Sequence, residues 1–270
     1  MMSALTRQPL APTDSSDHRL EKFFRRVAEA QRSALLLDFD GTLAPFRLDP
    51  ATVRPWAGVS ELLDKIRSEG RSHVAIVSGR PARQVATQLG LDTPVEVWGL
   101  HGAEHLLPSG DMEREALPAE QTEALHAARQ AIEELDMPLR VEEKWNAVVL
   151  HWRGASRGFA ESARTRTGEI LTPFAALPGM SLLVFDGGIE LRGGRNKGDA
   201  VRLLSQSLPV GAPAAYLGDD TTDEDAFEAL GEEGLSVLVR RIWRPTAAQV
   251  WLRPPAGLRA FLQRWHRAIR

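Results

Sequence analysis

The chain contains no cysteine. Disulfide staples, thiolate metal sites and a cysteine nucleophile are therefore excluded, and the composition fits a reducing, cytoplasmic compartment. Neither charge is in excess: 33 Lys and Arg face 36 Asp and Glu, a formal net charge of −3. Such a surface exerts no broad pull on nucleic acid or on an anionic membrane, so a bound phosphate must be held by local groups. No apolar run approaches the roughly 20 residues that cross a bilayer. The first 17 residues carry Pro9, Pro12, Ser15 and Ser16 in place of the apolar stretch of a signal peptide, and read as a flexible tail. What the chain does have is core material. Of its 270 residues 43% are hydrophobic and 26% charged, with seven Trp. That is the profile of a soluble protein, one elaborated domain or two modest ones.

Hydrophobic period organises the rest. Leu20, Phe23, Phe24 and Val27 share one helical face over about 18–32. The run Ala34-Leu35-Leu36-Leu37 is a strand buried on both faces, and it ends at Asp38. Val59, Leu62, Leu63 and Ile66 then give a helix stopped by Gly70, followed by the strand Val74-Ala75-Ile76-Val77, which ends at Ser78. This is a β-α-β unit, and with a further helix after Pro81 and a strand at 95–98 it predicts a parallel sheet. From about 113 to 193 the pattern changes to helices at 119–135 and 157–171 with strands near 139–142, 147–153, 181–186 and 188–192, an α+β insert. The first pattern resumes with helices at 197–207, 223–230 and 256–268 and strands at 214–217 and 235–239. The expected architecture is thus α/β: a Rossmann-like core of residues 18–112 and 194–270 carrying a smaller α+β insert.

The chemistry gathers at strand ends. Asp38 and Asp40 are two residues apart after a buried strand, so their side chains project from one face, at the sheet edge where ligands of open α/β sheets bind. Asp219, Asp220 and Asp223 follow another apolar strand. Carboxylates brought this close repel unless a hard cation joins them, and Mg²⁺ suits one or two carboxylates plus a phosphate. Thr42 and Ser78 offer hydroxyls, Gly41 and Gly79 allow backbone N–H groups to approach an anion, and Lys197 opens a helix between Asn196 and Gly198. Together these are the parts of a phosphate cradle, in which an Asp carboxylate can attack phosphorus once a metal and a lysine neutralise the incoming charge.

Four segments, Asp38-Phe39-Asp40-Gly41-Thr42-Leu43, Ser78-Gly79-Arg80, Asn196-Lys197-Gly198 and Gly218-Asp219-Asp220-Thr221-Thr222-Asp223-Glu224-Asp225-Ala226-Phe227, resemble the four motifs of haloacid dehalogenase-type phosphatases. The last of them, with Gly99-Leu100-His101-Gly102-Ala103-Glu104, Glu142-Glu143-Lys144, Leu150-His151-Trp152-Arg153 and Glu190-Leu191-Arg192, is similar to trehalose-6-phosphate phosphatases, over about residues 33–240. The resemblance implies hydrolysis of trehalose 6-phosphate through an aspartyl-phosphate, in trehalose biosynthesis. It implies Asp38 as nucleophile, Asp40 as general acid and base, and Thr42, Ser78, Gly79 and Lys197 as phosphate ligands. Asp38, Asp40 through its carbonyl, and Asp219 become Mg²⁺ ligands with Asp223 in support. The insert becomes a cap of the C2 type whose Glu142, Lys144 and Glu190 grip the sugar.

Other readings stay open at this point. Sucrose phosphate, glucosyl- or mannosyl-3-phosphoglycerate, or a phosphomannomutase-like reaction would use the same core. A phospho-accepting receiver domain also has strand-end aspartates and a lysine, but is about half this length and lacks the insert. His101 reads as structural, Glu142 and Lys144 on residues alone as a surface ion pair, Trp243, Trp251 and Trp265 as packing, and Arg240, Arg241 and Arg244 as a solvated face. The partner expected is a small sugar phosphate, with no nucleic acid and no membrane; oligomeric state is left open, a monomer being the default.

Overall fold

The computed structural model describes residues 14–47, 49–135, 137–185 and 187–270. Of the expected tail, residues 1–13 lie outside the described residues, and 14–17 are already helical: α1 spans Asp14–Glu29. A first turn rich in Ser and Asp is a favourable helix start, which moves the boundary ahead of the apolar stripe that predicted it.

The described residues divide into two compact units, one running to Arg114 and resuming over Asn196–Arg270, the other Glu115–Arg195. The larger unit contains β1 (Ser33–Leu37), α2 (Val59–Ser68), β2 (Ser72–Val77), α3 (Ala82–Leu89), β3 (Glu96–Gly99), β4 (Glu104–Leu106) and β5 (Met112–Arg114). The smaller has α4 (Ala119–Glu133), β6 (Arg140–Lys144), β7 (Ala147–His151), α5 (Arg157–Ala175), β8 (Met180–Phe185) and β9 (Gly188–Gly193). Returning to the larger unit, α6 (Lys197–Gln206), β10 (Ala214–Gly218), α7 (Glu224–Leu230), β11 (Leu235–Val239), β12 (Val250–Leu252) and α8 (Ala256–Ile269) follow.

Its eight strands lie in the order β12-β11-β10-β1-β2-β3-β4-β5, parallel from β12 to β3 and antiparallel at β4 and β5. Because β5 pairs with β4, the segment 112–114 belongs to this sheet, and the insert starts two residues later than the change of pattern suggested. The centre of the sheet is β1, all five of whose residues are buried. Side chains alternate across it. Leu35 and Leu37 pack with Phe24, Leu63, Phe261 and Trp265 on one face, while Ala34 and Leu36 pack with Val201, Leu204, Tyr216 and Phe227 on the other. Helices cover both faces, as a parallel sheet requires.

This topology positions the chemistry. With β10 and β2 on either side of β1, the residues that leave all three strands at their C-terminal ends, Asp219, Asp38 and Ser78, emerge side by side at one edge.

The insert unit is a four-stranded antiparallel sheet, β6-β7-β9-β8. One face carries Val148, Leu150, Ile189 and Leu191 against Ala124, Leu125 and Ala128 of α4 and Ala163 and Leu171 of α5. The alternate residues form the opposite face in two cross-strand rows, Glu142–Val149–Glu190–Leu183 and Lys144–Ala147–Arg192–Ser181.

Candidate active site

The loop after β1 is tightly wound: Gly41 donates to the Ala44 carbonyl at 2.7 Å and Ala44 to the Phe39 carbonyl at 2.9 Å. Gly41 sits at φ 79°, and a Cβ there would run into the Asp219 carboxylate, so only glycine fits. Asp38 is 3% exposed and its backbone N–H is fixed on the Leu217 carbonyl of β10. Thr42 is fully buried, and among the described residues its Oγ1 has no hydrogen-bond partner. Lys197 stands at the first position of α6, held there by a capping box in which Asn196 and Asp199 bond each other's backbone N–H groups.

From that position the buried Lys197 ammonium donates to Asp38 Oδ1 and to Asp223 Oδ1, each at 2.7 Å. Asp223 is saturated. The hydroxyl of Tyr216, the only tyrosine, donates to its Oδ1 at 2.7 Å, and the backbone N–H groups of Asp219 and Asp220 donate to its Oδ2 at 2.9 Å. Asp38, Asp219 and Asp223 each present an oxygen within 4.8 Å of the others'. Three buried carboxylates around one ammonium would leave two negative charges in excess if all were ionised. Burial pushes the Asp38 carboxyl up to about 8, Lys197 opposing and Asp223 adding to the shift. Asp219 is likewise raised by burial and by the Asp38 and Asp223 charges. Burial alone would lower the Lys197 pKa, but the two carboxylates it touches hold it above its ordinary value.

Ser78 is 1% exposed, and its N–H bonds the Trp98 carbonyl of β3 at 2.8 Å. Gly79 lies under the His101 ring, where a Cβ would meet the imidazole at 2.7 Å. Leu100 and His101 both adopt positive φ, 47° and 60°, the strained geometry that brings this ring over the loop. Asp40 does not join the carboxylate cluster; its side chain is forked onto Arg80.

In the insert, Lys144 Nζ bonds Glu190 Oε2 at 3.1 Å and His151 Nε2 meets Glu142 Oε2 at 2.8 Å. Glu142 and Lys144 thus take separate partners and make no pair with each other. Glu190 and Arg192 are buried at 6% and 5%, with Arg192 Nε on Ser181 Oγ at 3.0 Å.

The matches to known proteins agree with this geometry. The trehalose-phosphatase family model covers residues 36–250. The chain belongs to this family. It is 35% identical over 257 residues to a trehalose-phosphate phosphatase of Mycobacterium marinum, and 33% identical over 261 residues to that of Mycobacterium tuberculosis. The alignments take in 86% and 89% of this chain but 61% and 63% of the relatives, so the chain spans less than two thirds of their length. Among solved structures, the C-terminal domain of Candida albicans trehalose-6-phosphate phosphatase superposes with a TM-score of 0.73 at 22% identity, covering 93% of this chain and 96% of that one. A trehalose-6-phosphate phosphatase related protein gives 0.64 at 27% identity, covering 88% and 97%. A haloacid dehalogenase-like hydrolase from B. subtilis, at 14% identity, covers 86% and 99% with a TM-score of 0.63 and shares the fold.

Phosphatases with this fold use a divalent metal, and the residues here fit one. The Asp38 and Asp219 carboxylates are buried, clustered and in charge excess, which suits a hard, oxygen-seeking cation. Asp223, with both oxygens occupied by four donors, holds the Lys197 ammonium and the 219–220 backbone in place.

Several contributors carried no readable signal in the sequence. Arg240 Nη1 and Arg244 Nε donate to the Asp219 carbonyl at 3.1 and 3.3 Å, and Arg244 Nη2 to the Asp220 carbonyl at 2.6 Å. Two of the three arginines read as a solvated face therefore clamp the acidic loop; Arg241 alone is exposed without such a bond among the described residues. Tyr216 lay hidden in an apolar run, although a buried tyrosine hydroxyl usually finds a partner.

Proposed function

We propose that the chain hydrolyses trehalose 6-phosphate to trehalose and inorganic phosphate with Mg²⁺ as cofactor, in the cytoplasm, as a step of trehalose biosynthesis. The observation that carries this reading is the buried Asp38 carboxylate, bonded to Lys197 and in charge excess, in a chain of the trehalose-phosphatase family. An enclosed carboxylate between an ammonium and a cation site is a nucleophile for phosphorus. Phosphate esters are charged and stay in the compartment that makes them, which is the reason for choosing the cytoplasm.

Thr42 Oγ1, Ser78 Oγ, the Gly79 N–H and Lys197 Nζ would hold the phosphoryl oxygens. Bound at Asp38, the Asp40 carbonyl and Asp219, Mg²⁺ would supply positive charge for those oxygens and for the nucleophile. An Asp38 oxygen forms a bond to phosphorus as the bond from phosphorus to the sugar oxygen breaks, and Asp40 gives that oxygen its proton. The resulting aspartyl-phosphate is attacked by water, whose proton Asp40 takes back, releasing phosphate and free Asp38. Glu142, Lys144 and Glu190 would bind sugar hydroxyls, exchanging the bonds they now make with neighbouring side chains for bonds to substrate. Phosphate release measured over trehalose 6-phosphate, sucrose phosphate, glucosyl- and mannosyl-3-phosphoglycerate and hexose phosphates tests the reading. The trehalose ester should lead by kcat/KM; another sugar in first place would reassign the substrate while leaving the chemistry.

A further inference from the structure

Arg80 leaves the Ser78-Gly79 turn ahead of α3, and its guanidinium is engaged on every side. Its Nε donates to Asp40 Oδ2 at 2.5 Å and Nη2 to Asp40 Oδ1 at 2.6 Å, a two-pronged fork. Nη1 donates to the Pro50 carbonyl at 2.7 Å and to Gln88 Oε1 at 3.1 Å. The group also lies 5.7 Å from the Phe39 ring centroid. Gln88, itself 5% exposed, donates its Nε2 to the same Pro50 carbonyl at 2.7 Å. The backbone is fixed as well, with Arg80 N on Ser78 Oγ at 3.2 Å and the Arg80 carbonyl accepting from Leu100 N at 2.9 Å. Three separate segments, the nucleophile loop, the 49–52 turn and α3, thus meet on one side chain.

Among the described residues no other group bonds the Asp40 carboxylate. An exposed ion pair would be worth little and would restrain little. This one is different in kind, because the fork defines the plane of the carboxylate and the other guanidinium bonds define the fork. We propose that Arg80 is the positioning residue for the acid–base carboxylate, fixing the direction in which Asp40 meets the leaving oxygen and the attacking water. The inference rests on the phosphatase reading above, in which Asp40 moves both protons. Proton transfer depends on alignment at hydrogen-bond distance, so loss of the fork should weaken the steps that need Asp40 and spare the one that does not.

The test compares wild type, Arg80→Ala and Arg80→Lys on trehalose 6-phosphate and p-nitrophenyl phosphate. A sugar leaves as an alkoxide that needs a proton, whereas p-nitrophenolate leaves without one. Arg80→Ala should lose about 10- to 100-fold in kcat/KM on the sugar ester. On the aryl ester its first-turnover burst should stay within a few-fold of wild type while the steady state slows, because hydrolysis of the aspartyl-phosphate still needs the base. Arg80→Lys keeps the charge but cannot fork, and should recover little. Guanidinium chloride should restore part of the Arg80→Ala activity where sodium chloride at equal ionic strength does not. A crystal structure of Arg80→Ala should show the Asp40 side chain turned or disordered, with Asp38, Lys197 and Asp219 in place.

A loss in the aryl-ester burst as large as the loss in kcat/KM on the sugar ester, with no guanidinium rescue, would reduce Arg80 to a structural tie, and an unmoved Asp40 would overturn the inference outright. Wild type inactive on trehalose 6-phosphate but active on another sugar ester moves the assay to that ester and faults only the substrate assignment. Wild type inert toward every ester faults the phosphatase reading, and the crystal structure then decides the positioning claim by itself.

Discussion

Two charged regions of this molecule are built on opposite plans. At the sheet edge of the core, Asp38, Lys197 and Asp223 are sealed from solvent, and each is tied to the next at 2.7 Å. On one face of the insert sheet, Glu142 is 44% and Lys144 19% exposed at the side chain, and each leans on one neighbour. Buried carboxylates this close are relieved only by protons or by a cation, which is why the Asp38 and Asp219 carboxyls are raised and why their positions are tightly fixed. The partly exposed Glu142–His151 pair can trade partners at small cost, whereas Lys144 leans on the buried Glu190, which sets one fixed carboxylate beside one adaptable one on the same face. Under the proposed function, rigidity and exchangeability, more than residue type, would separate the catalytic residues from the sugar-binding ones.

The hardest way to test that division is at Asp38. Asp38→Asn removes both the attacking oxygen and a charge, and should lower turnover by about 10⁴-fold or more on any ester. Asp40→Asn should cost about 10²–10⁴-fold. Comparable steady-state rates in wild type and Asp38→Asn would remove the core from the chemistry altogether.

Chelation comes next. Exhaustive EDTA treatment should abolish turnover, and Mg²⁺ should restore it better than Ca²⁺, whose larger coordination shell spoils in-line geometry. Metal should also raise the melting temperature of wild type but not of Asp219→Asn, because it relieves the charge excess only where the site is intact. Full activity after chelation would contradict that role for Asp219.

On the insert face, Glu142→Ala, Lys144→Ala and Glu190→Ala should each lower kcat/KM for trehalose 6-phosphate by about 10- to 100-fold, the worth of one lost hydrogen bond to a hydroxyl. A small aryl phosphate should be nearly unaffected. Equal losses on both substrates would erase the distinction between the regions, and no loss on either would leave these residues as ion pairs within the insert sheet.

The same contrast explains what could be read from the sequence. The strand ahead of Asp38 and the glycines around it were legible because burial on both faces and tight turns each demand particular residues. The strands β4, β5 and β12 were not, since three residues are too few to display a period. Nor were the bonds of Arg80, Arg240 and Arg244, because an arginine bound to a backbone carbonyl or a carboxylate leaves the same letter as one in solvent. The chain partner of Glu142 was equally hidden: Glu142 and His151 flank a hairpin, yet their pairing depends on a register that pattern alone does not set.

The smallest expected effect lies outside both regions, on β3 and the strands beside it. Glu96, the first residue of β3 and mostly buried, accepts from Trp98 Nε1 at 2.8 Å and meets His105 Nε2 at 2.7 Å and His73 Nε2 at 2.8 Å. Burial alone would raise its pKa, but the His105 and His73 rings and the Trp98 N–H bring it down to about 2. Burial would lower His105, but Glu96 and Glu113, one on each ring nitrogen, hold it above its ordinary value. The two signs define a window. Glu96, depressed, contributes stability present above about 4.5 and lost as pH falls through about 2; His105, raised, contributes stability complete below about 6.5 and lost as pH rises through its folded value. The melting-temperature advantage of wild type over His105→Gln should therefore be greatest between about pH 4.5 and 6.5, amount to about 1–4 °C, and shrink toward pH 9. Because Glu96 and His73 lie at the strand ends opposite Ser78 and Asp38, turnover at 25 °C should be unchanged in the variant across that range. Parallel melting curves would show the cluster to be neutral, and a loss of turnover would show that this end of the sheet is coupled to the site after all.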